Sequence, residues 1–588
     1  MLRTNRFSSD FIRPISRKSD TCRISLATAV HISFRKTLNT SLLGLAVLAG
    51  VPFTCAAQNV PAFPAASLPA RELDQVIDSV RQERQMQSLQ RAEKLTKEQS
   101  EKKLQKKLPA KDSFVFMLNG VKHTGSEVLT EEEFEKTVSP WIGKKVTSSD
   151  LIDLLKAIDT LYHSKGYAVC KATLQPQKLT AGVLTVTLIE GKTDKVKVKG
   201  APYTRDSYIL QAFDLPENRV ANYAKMVDDL IKFNMTNSLQ LHIDIEPGSR
   251  YGTTSYNIIA DDQPYWYASL FSDTYGSYST GKLRVSGTLE LPSMTGMQDS
   301  FTAMVIKSQG SLLGYTSYSL PLSATGTRLI FSASGGNVKV KKGPSRDLNV
   351  KGRSSNYSLQ LEKAFVFSSQ VKITPYIQIS KQKSHTDVFG SLRVAQTKID
   401  SMTLGADALK VGTPWTLYGH AELSRHHSTN EVYNQTTNPV LFRSSGYGRW
   451  DEGKRIFGIV KGSVQSVLGG GDALSSDYFY LGQTSGVRGY PIDIIGAENG
   501  WTINSEMYYR FQPWNLNAKA FFDFGRLSGY SINKQRWLAG TGVGLDWYWR
   551  NNLSSSLTLS FPLKRHLRDK EVEHISRGRL DFSLTYVF

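Results

Sequence analysis

The sequence predicts a transmembrane β-barrel of about 16 antiparallel strands, preceded by two small α/β modules and an N-terminal helix. Three observations carry that expectation. From about Gln263 to Phe588 the chain falls into segments of roughly ten residues that alternate apolar and polar side chains, as a tilted strand between lipid and water requires. No run of 18 or more apolar residues occurs beyond the N-terminal region, so a helical span of the mature chain is not expected. Ahead of the alternating half, two successive stretches repeat one order of strands and helices, the mark of a modular arm rather than a catalytic domain.

Residues 1–57 read as a signal peptide. Arg35 and Lys36 precede an apolar stretch from Leu38 to Phe53, and small residues then place the cut between Ala57 and Gln58. Export removes Cys22 and Cys55 and leaves Cys170 alone, so no intramolecular disulfide is expected. Eight basic and two acidic residues precede Gln58, so +14 of the formal +20 stays with the rest of the chain. That excess is spread without an aromatic-interleaved basic motif, which argues against nucleic acid and for lipopolysaccharide-facing loops and a basic periplasmic segment.

Residues 58–112 read as a helix and linker: Leu73, Val76, Ile77 and Val80 fall at helical spacing, while Leu89, Leu95, Leu104 and Leu108 are too sparse for a core face. Residues 113–191 form the first module. Its strand "FVFML" is followed by a helix opened by Thr130 and Glu133 in capping-box spacing. The next helix carries Leu151, Leu154, Leu155, Ile158, Leu161 and Tyr162 on one face and stops at Gly166, before the strands "AVCKATL" and "GVLTVTLIEG". Residues 192–262 repeat the plan more loosely, with "TRDSYILQAF" and "NYAKMVDDLIKFN" as helices and "TSYNIIAD" as the closing strand. In the barrel, 263–588, "KLRVSGTLELP" sets Leu283, Val285, Leu289 and Leu291 against Arg284, Ser286, Thr288 and Glu290. Backbone groups in lipid must all pair, so such a sheet has to close. About 326 residues at roughly 20 per strand and connection give the strand count.

The stretch "LYHSKGYAVCKATLQPQKLTAGVLTVTLIEGKTDKVKVKG" resembles the first polypeptide-transport-associated (POTRA) module of two-partner secretion outer-membrane transporters of the TpsB type, the ShlB/FhaC/HecB-like family. The residues that carry the likeness are Tyr162, Gly166, Tyr167, Leu174, Pro176, Gln177, Glu190 and Gly191, with Gln175 inserted before Pro176 as the one departure. Downstream, "VRGY" (Val487, Arg488, Gly489, Tyr490) and "FFDFG" (including Phe521, Asp523 and Gly525) match two motifs of the wider superfamily that inserts or exports proteins at outer membranes. The terminal alternation of Leu580, Phe582, Leu584, Tyr586 and Phe588 resembles its barrel-assembly signal, which implies the barrel-assembly machinery as a partner. By residue type alone Arg488 reads as an exposed loop residue and Asp523 as one lumen charge among many. The resemblance implies instead that a glycine-rich loop of about 450–499 folds into the lumen and brings Arg488 to Asp523. It further implies an outer-membrane location with the POTRA modules in the periplasm, and a large unfolded passenger of the adhesin, haemolysin or contact-toxin kind. The helix near Leu68 is then a candidate lumen plug, although a plain linker fits its composition too.

No phosphate-cradling GxxxxGK[ST] segment occurs, and "LGGGD" at Leu468–Asp472 reads as a glycine turn. His426 and His427, in "SRHHSTNE", read as a polar loop without the partners a metal needs. No nucleophile elbow or paired catalytic carboxylates stand out, so neither a cofactor nor an enzymatic activity is expected. The rival reading from the same superfamily is a barrel-assembly insertase, which usually carries more than two such modules.

Overall fold

The computed structural model describes residues 68–74, 76–77, 115–343, 345–482, 486–492, 494–529, 536–549, 552–567 and 575–588. The signal segment with Ala57 and Gln58, Val80 and the tether after it lie outside these residues. From Tyr267 onward each strand of the barrel pairs antiparallel with its neighbour in the barrel order, and the last, Arg579–Val587, pairs with the first, Tyr267–Asp273, so the barrel has no open edge. Lys351–Lys363 and Phe365–Ser368 share one neighbour, as do Gln435–Thr437 and Val440–Asp451, so the strand segments described make a closed barrel of 16 strands.

Period-two alternation assigns the two faces. Along Trp415–Asn430, Tyr418, Glu422 and Ser424 are buried toward the lumen while Leu417 and Leu423 are exposed on the lipid side. His426 and His427 lie on this strand, which corrects the loop expected there: past Leu423 both faces are polar, because the strand runs on beyond the apolar belt and loses the contrast that marks a membrane strand. Exposed Trp266, Trp415, Trp514, Trp547 and Trp549 stand at strand ends nearest the modules, where an aromatic ring spans the boundary between lipid and water.

The first module packs the helices Glu131–Val138 and Ser148–Ser164 against a sheet ordered Gly120–His123, Val183–Ile189, Lys171–Thr173. Phe134, Leu154, Ile158, Tyr162 and Val186 are fully buried between them. Thr130 with Glu133, and Thr147 with Asp150, close reciprocal capping boxes that satisfy the first helical N–H groups. The strand expected at "FVFML" is Val115–Leu118, and it pairs only with Lys144–Thr147. The sheet position belongs to Gly120–His123, whose short run carried no period-two signal. The second module orders Lys192–Lys199, Thr253–Ala260, Leu241–Pro247 under the helix Tyr223–Thr236. Its first helix shrinks to Asp206–Leu210, since the chain then turns to bury Ala212 and Phe213.

Residues 68–74 and 76–77 are helical and lie inside the barrel. Val76 packs on Met304, Ile306, Leu313, Tyr315 and Val338, all on the lumen face of their strands. Apolar residues at positions that normally face water are explained by this cover. Glu72 accepts from Thr280 Oγ1 at 2.7 Å, and the Pro69 carbonyl from Ser354 Oγ at 2.8 Å. A Val76→Glu substitution sets a charge against this apolar patch, at about 2–3 kcal/mol or more. The expected outcome is a higher single-channel conductance in planar bilayers than for the wild type; an unchanged conductance would show that the helix does not occlude the pore.

Candidate functional site: a loop clasped inside the barrel

The infolded loop is shorter than the expected 450–499. Ile456–Gly469 is a barrel strand with Gly458, Gly462 and Ser466 among its lipid-side residues and Phe457, Ile459 and Val467 on its lumen side, so it lacks the contrast that reveals a strand; the loop runs from Gly470 to Glu498. Gly470 and Gly471, at φ +84° and +114°, turn the chain inward in a conformation that favours glycine. Within the loop Phe479–Leu481 pairs with Ile495–Ala497, and the segment 486–490 forms the tip between them, Gln483–Ser485 and Asp493 being outside the described residues. Leu481, Val487, Tyr490 and Ile495 are buried against Leu527 and Leu538 of the barrel wall.

The tip delivers Arg488 to two strands at once. Its Nε and Nη2 donate to the two Asp523 carboxylate oxygens, each at 2.7 Å, and its backbone N–H donates to the same carboxylate at 3.0 Å. Nη1 donates to Glu506 Oε1 at 2.5 Å, and the guanidinium lies 3.6 Å from the centre of the Phe521 ring. This fork-to-fork geometry with a second carboxylate is one that only a planar guanidinium can supply. Asp523 is fully buried and Arg488 17% exposed, so the pair is almost wholly withdrawn from water. Tyr490 fixes the other side of the tip: its hydroxyl donates to the Ala539 carbonyl at 2.9 Å and accepts from Lys564 N–H at 3.0 Å.

Missing side chains let the tip come this close. A Cβ on Gly525 would stand 2.6 Å from Leu481 and 3.1 Å from Val487, and one on Gly540 would stand 2.2 Å from the Arg488 carbonyl. Gly489, at φ +95°, passes against the backbone of Pro562. Thus all the predicted loop and wall residues, Val487, Arg488, Gly489, Tyr490, Phe521, Asp523 and Gly525, converge on one contact. Sequence reasoning missed Glu506 and Gly540. Glu506 shares inward parity with Asn504 and Tyr508, and an acid in that register was the available signal.

A second anchor holds the loop's first arm. Buried Asp477 takes His426 Nδ1 at 3.1 Å and Ser428 Oγ at 3.5 Å, and Gln465 Nε2 donates to the Asp477 and Glu498 carbonyls at 2.6 and 2.9 Å. His426 therefore serves as a wall contact for the loop.

The predicted POTRA residues divide into three groups. The Tyr162 hydroxyl donates to Glu190 Oε1 at 2.7 Å, Ser126 Oγ joins the same oxygen, and Glu127 N–H donates to the other at 2.7 Å. Burial pushes the Tyr162 hydroxyl well above its ordinary pKa, so it stays a donor, and pushes the neighbouring Cys170 thiol up to about 12. Gln177 staples the sheet, its amide exchanging two hydrogen bonds with the Thr185 backbone at 2.7 and 2.8 Å, while Pro176 is exposed beside it and Tyr167 packs on the core. Gly166 and Gly191 form the junction of the modules: a Cβ on the first would meet Asn222 at 2.6 Å and one on the second Thr254 at 2.3 Å. At the other end of the chain, Tyr586 and Phe588 point outward at the barrel seam, with Phe588 N–H bonded to the Ala268 carbonyl at 3.0 Å.

A closed barrel in the outer membrane, with paired POTRA modules in the periplasm and a loop clasped across its lumen, defines a protein transporter of the POTRA–barrel class. The chain belongs to the haemolysin secretion/activation protein ShlB/FhaC/HecB family, whose model matches residues 252–547, and a ShlB-type POTRA domain matches residues 116–191. It is similar to the heme/hemopexin transporter protein HuxB of Haemophilus influenzae strain 86-028NP, at 22% identity over 75% of this chain and 82% of that protein. It is similar also to the hemolysin transporter protein ShlB of Serratia marcescens, at 24% identity over 74% of this chain and 77% of that one. In fold it matches the structure of CdiB from Escherichia coli, with a TM-score of 0.64 and 18% identity over 89% of this chain and 98% of that one.

Two outcomes follow from this geometry. Arg488→Ala leaves the buried Asp523 and Glu506 carboxylates unanswered and should cost the folded loop about 3–5 kcal/mol, Asp523→Ala should cost less because Arg488 keeps Glu506, and the double variant should cost less than the sum. Limited proteolysis of loop 470–498 in the four-member cycle measures this, and additivity would show that the two side chains do not act as a pair. In the first module Tyr162→Phe should lower the unfolding free energy by about 1–3 kcal/mol by removing one of the three donors to the Glu190 carboxylate, while Gln177→Ala should cost less because its site is exposed. Thermal unfolding of the full chain, monitored on the module, checks the ranking.

Proposed function

We propose that this chain engages one large passenger protein in an unfolded state at its periplasmic modules and passes it through the barrel to the cell surface, with release of the clasped loop as the step that opens the route. The observation that carries the reading is the lumen itself, filled by a helix and a loop that are held by side-chain contacts rather than by the barrel's own strands. Edge strands such as Leu241–Pro247 and Lys171–Thr173 offer unpaired backbone groups to an extended segment, which binds by strand addition. The family and the transporters named above favour a passenger of the haemolysin or heme/hemopexin kind, and the motif resemblance adds adhesins and contact toxins. Without a nucleotide-binding motif in the sequence, folding of the passenger outside supplies the direction of transport. No catalytic step is assigned to any residue. Further partners in this reading are outer-membrane lipid, lipopolysaccharide and the barrel-assembly machinery, the last reading Tyr586 and Phe588 at the seam.

The test is the culture medium of a deletion strain. One large polypeptide should be missing, wild-type chain should restore it, and Arg488→Ala should restore an inserted barrel but not the polypeptide. Depletion of many outer-membrane proteins at once would establish the insertase reading instead, and normal secretion by the Arg488→Ala chain would remove the clasp from the mechanism.

A further inference from the structure

Four adjacent strands are longer than a bilayer requires. A membrane strand needs about 9–11 residues, whereas Lys351–Lys363, Val371–Val388, Leu392–Lys410 and Trp415–Asn430 have 13, 18, 19 and 16. Their module-proximal ends are identified by Lys372 Nζ, which donates to the Met235 carbonyl at 3.1 Å, and by Met235 packing on Leu409 and Val411. The excess length therefore lies at the far end, on the outer-leaflet side.

Outward-facing side chains change chemistry along that direction. Ile377 and Ile379, Leu404 and Met402, and Leu417 and Leu423 are exposed to lipid. At the same parity just beyond them stand Lys381 and Lys383, Lys398, and Arg425 and His427, with Arg353 on the neighbouring strand, all of them exposed or partly so. Some of this charge is answered within the chain: Lys381 pairs with Asp400 at 3.3 Å, and Lys398 pairs with Glu431. Arg353, Lys383 and Arg425 make no hydrogen bond or ion pair among the described side chains. Between the strands a depression of about 630 Å³ opens outward, its apolar wall made by Ile379, Met402, Leu404, Leu423 and Val440, with Arg425, His427 and the Lys381-paired carboxylate of Asp400 also lining it.

We propose that this face binds one phosphorylated glycolipid of the lipid A type, its acyl chains in the apolar depression and its phosphates on Arg425, Lys383 and Arg353. The assignment rests on the outer-membrane reading above. Arg353 and Arg425 without a carboxylate partner, and Lys383 sharing Glu431 with Lys398 only at longer range, favour a doubly phosphorylated head, and guanidinium–phosphate contacts are strong when partly shielded from water. The outer-leaflet position selects a glycolipid of that leaflet over the glycerophospholipids of the inner one.

Native mass spectrometry of the full chain in detergent tests the site with three probes: bisphosphorylated lipid A, dephosphorylated lipid A and phosphatidylglycerol. The wild type should retain one bisphosphorylated lipid A and bind the dephosphorylated form at least about tenfold more weakly, a difference of about 1.4 kcal/mol. The combined Arg353→Ser, Lys383→Ser, Arg425→Ser chain should lose about tenfold in occupancy, while Lys363→Ser with Lys410→Ser, at the opposite end of the same strands, should not. Equal binding of dephosphorylated lipid A by the wild type, equal binding by the triple variant, or preference for phosphatidylglycerol overturns the proposal. Fractionation of the wild-type chain with the outer membrane reads the underlying location separately, so failure of the lipid assay in a correctly fractionating chain counts against this site alone.

Discussion

In hydrocarbon an unpaired amide has no water to turn to, and the shape of this molecule follows from that constraint. The strand Arg579–Val587 must find Tyr267–Asp273, across more than 300 residues of intervening sequence, before the sheet has no exposed edge. Closure of a sheet this wide leaves a lumen that wall side chains cannot fill. The chain fills it with two of its own segments, and the wall changes composition beneath each of them. Where the helix lies the lumen side is apolar, at Met304, Ile306 and Leu313; where the loop tip lies it is small or apolar, at Gly525, Gly540, Leu527 and Leu538.

The two segments are held in different ways, and the difference bears on how each could leave. The helix rests on an apolar patch with a few hydrogen bonds, a contact without directional demands. The loop tip depends on Arg488 facing Asp523 and Glu506 in a setting with little water. A buried pair of this kind adds little net stability over an apolar contact but penalises every misplaced arrangement, because each leaves a charge unanswered. It therefore fixes where the tip sits more than how tightly it is held. Asp477 on His426 and Ser428 does the same for the loop's first arm, so the loop is placed at two points, just before its hairpin and at its tip.

Much of this was legible in the sequence, and the omissions share a physical cause. Alternation reveals a strand only while lipid and lumen impose opposite chemistries, as in the strand with Leu283, Val285 and Leu289. Ile456–Gly469, with glycine, lysine and serine among its alternating positions, and the far end of Trp415–Asn430, polar on both faces, carry no such contrast and read as loop. The helical spacing of Leu73 and Val76 was plain, but not that their partners were Met304 and Tyr315, since nothing local in a strand marks an apolar residue as inward-facing and covered. Arg488 and Asp523 came from resemblance; residue type alone favoured an exposed arginine over a clasp. Glu506, which completes the carboxylate pair, belongs to neither quoted motif and emerged only from the register of its strand.

The modules and the clasp stand on different parts of the barrel. The second module meets turns of the first half: Arg205 N–H bonds the Gly296 carbonyl at 2.8 Å, Asn237 Nδ2 the Ala324 carbonyl at 3.0 Å, and Lys372 the Met235 carbonyl. The clasp belongs to the strands Asn499–Phe511, Leu516–Ser528 and Trp537–Trp549 of the second half. These hydrogen bonds of the module fall on other strands than those that hold Arg488, which faces the lumen. There the helix and loop touch, with the Arg71 guanidinium 4.6 Å from the centre of the Tyr480 ring, so a segment that displaces the helix also removes a contact from the loop.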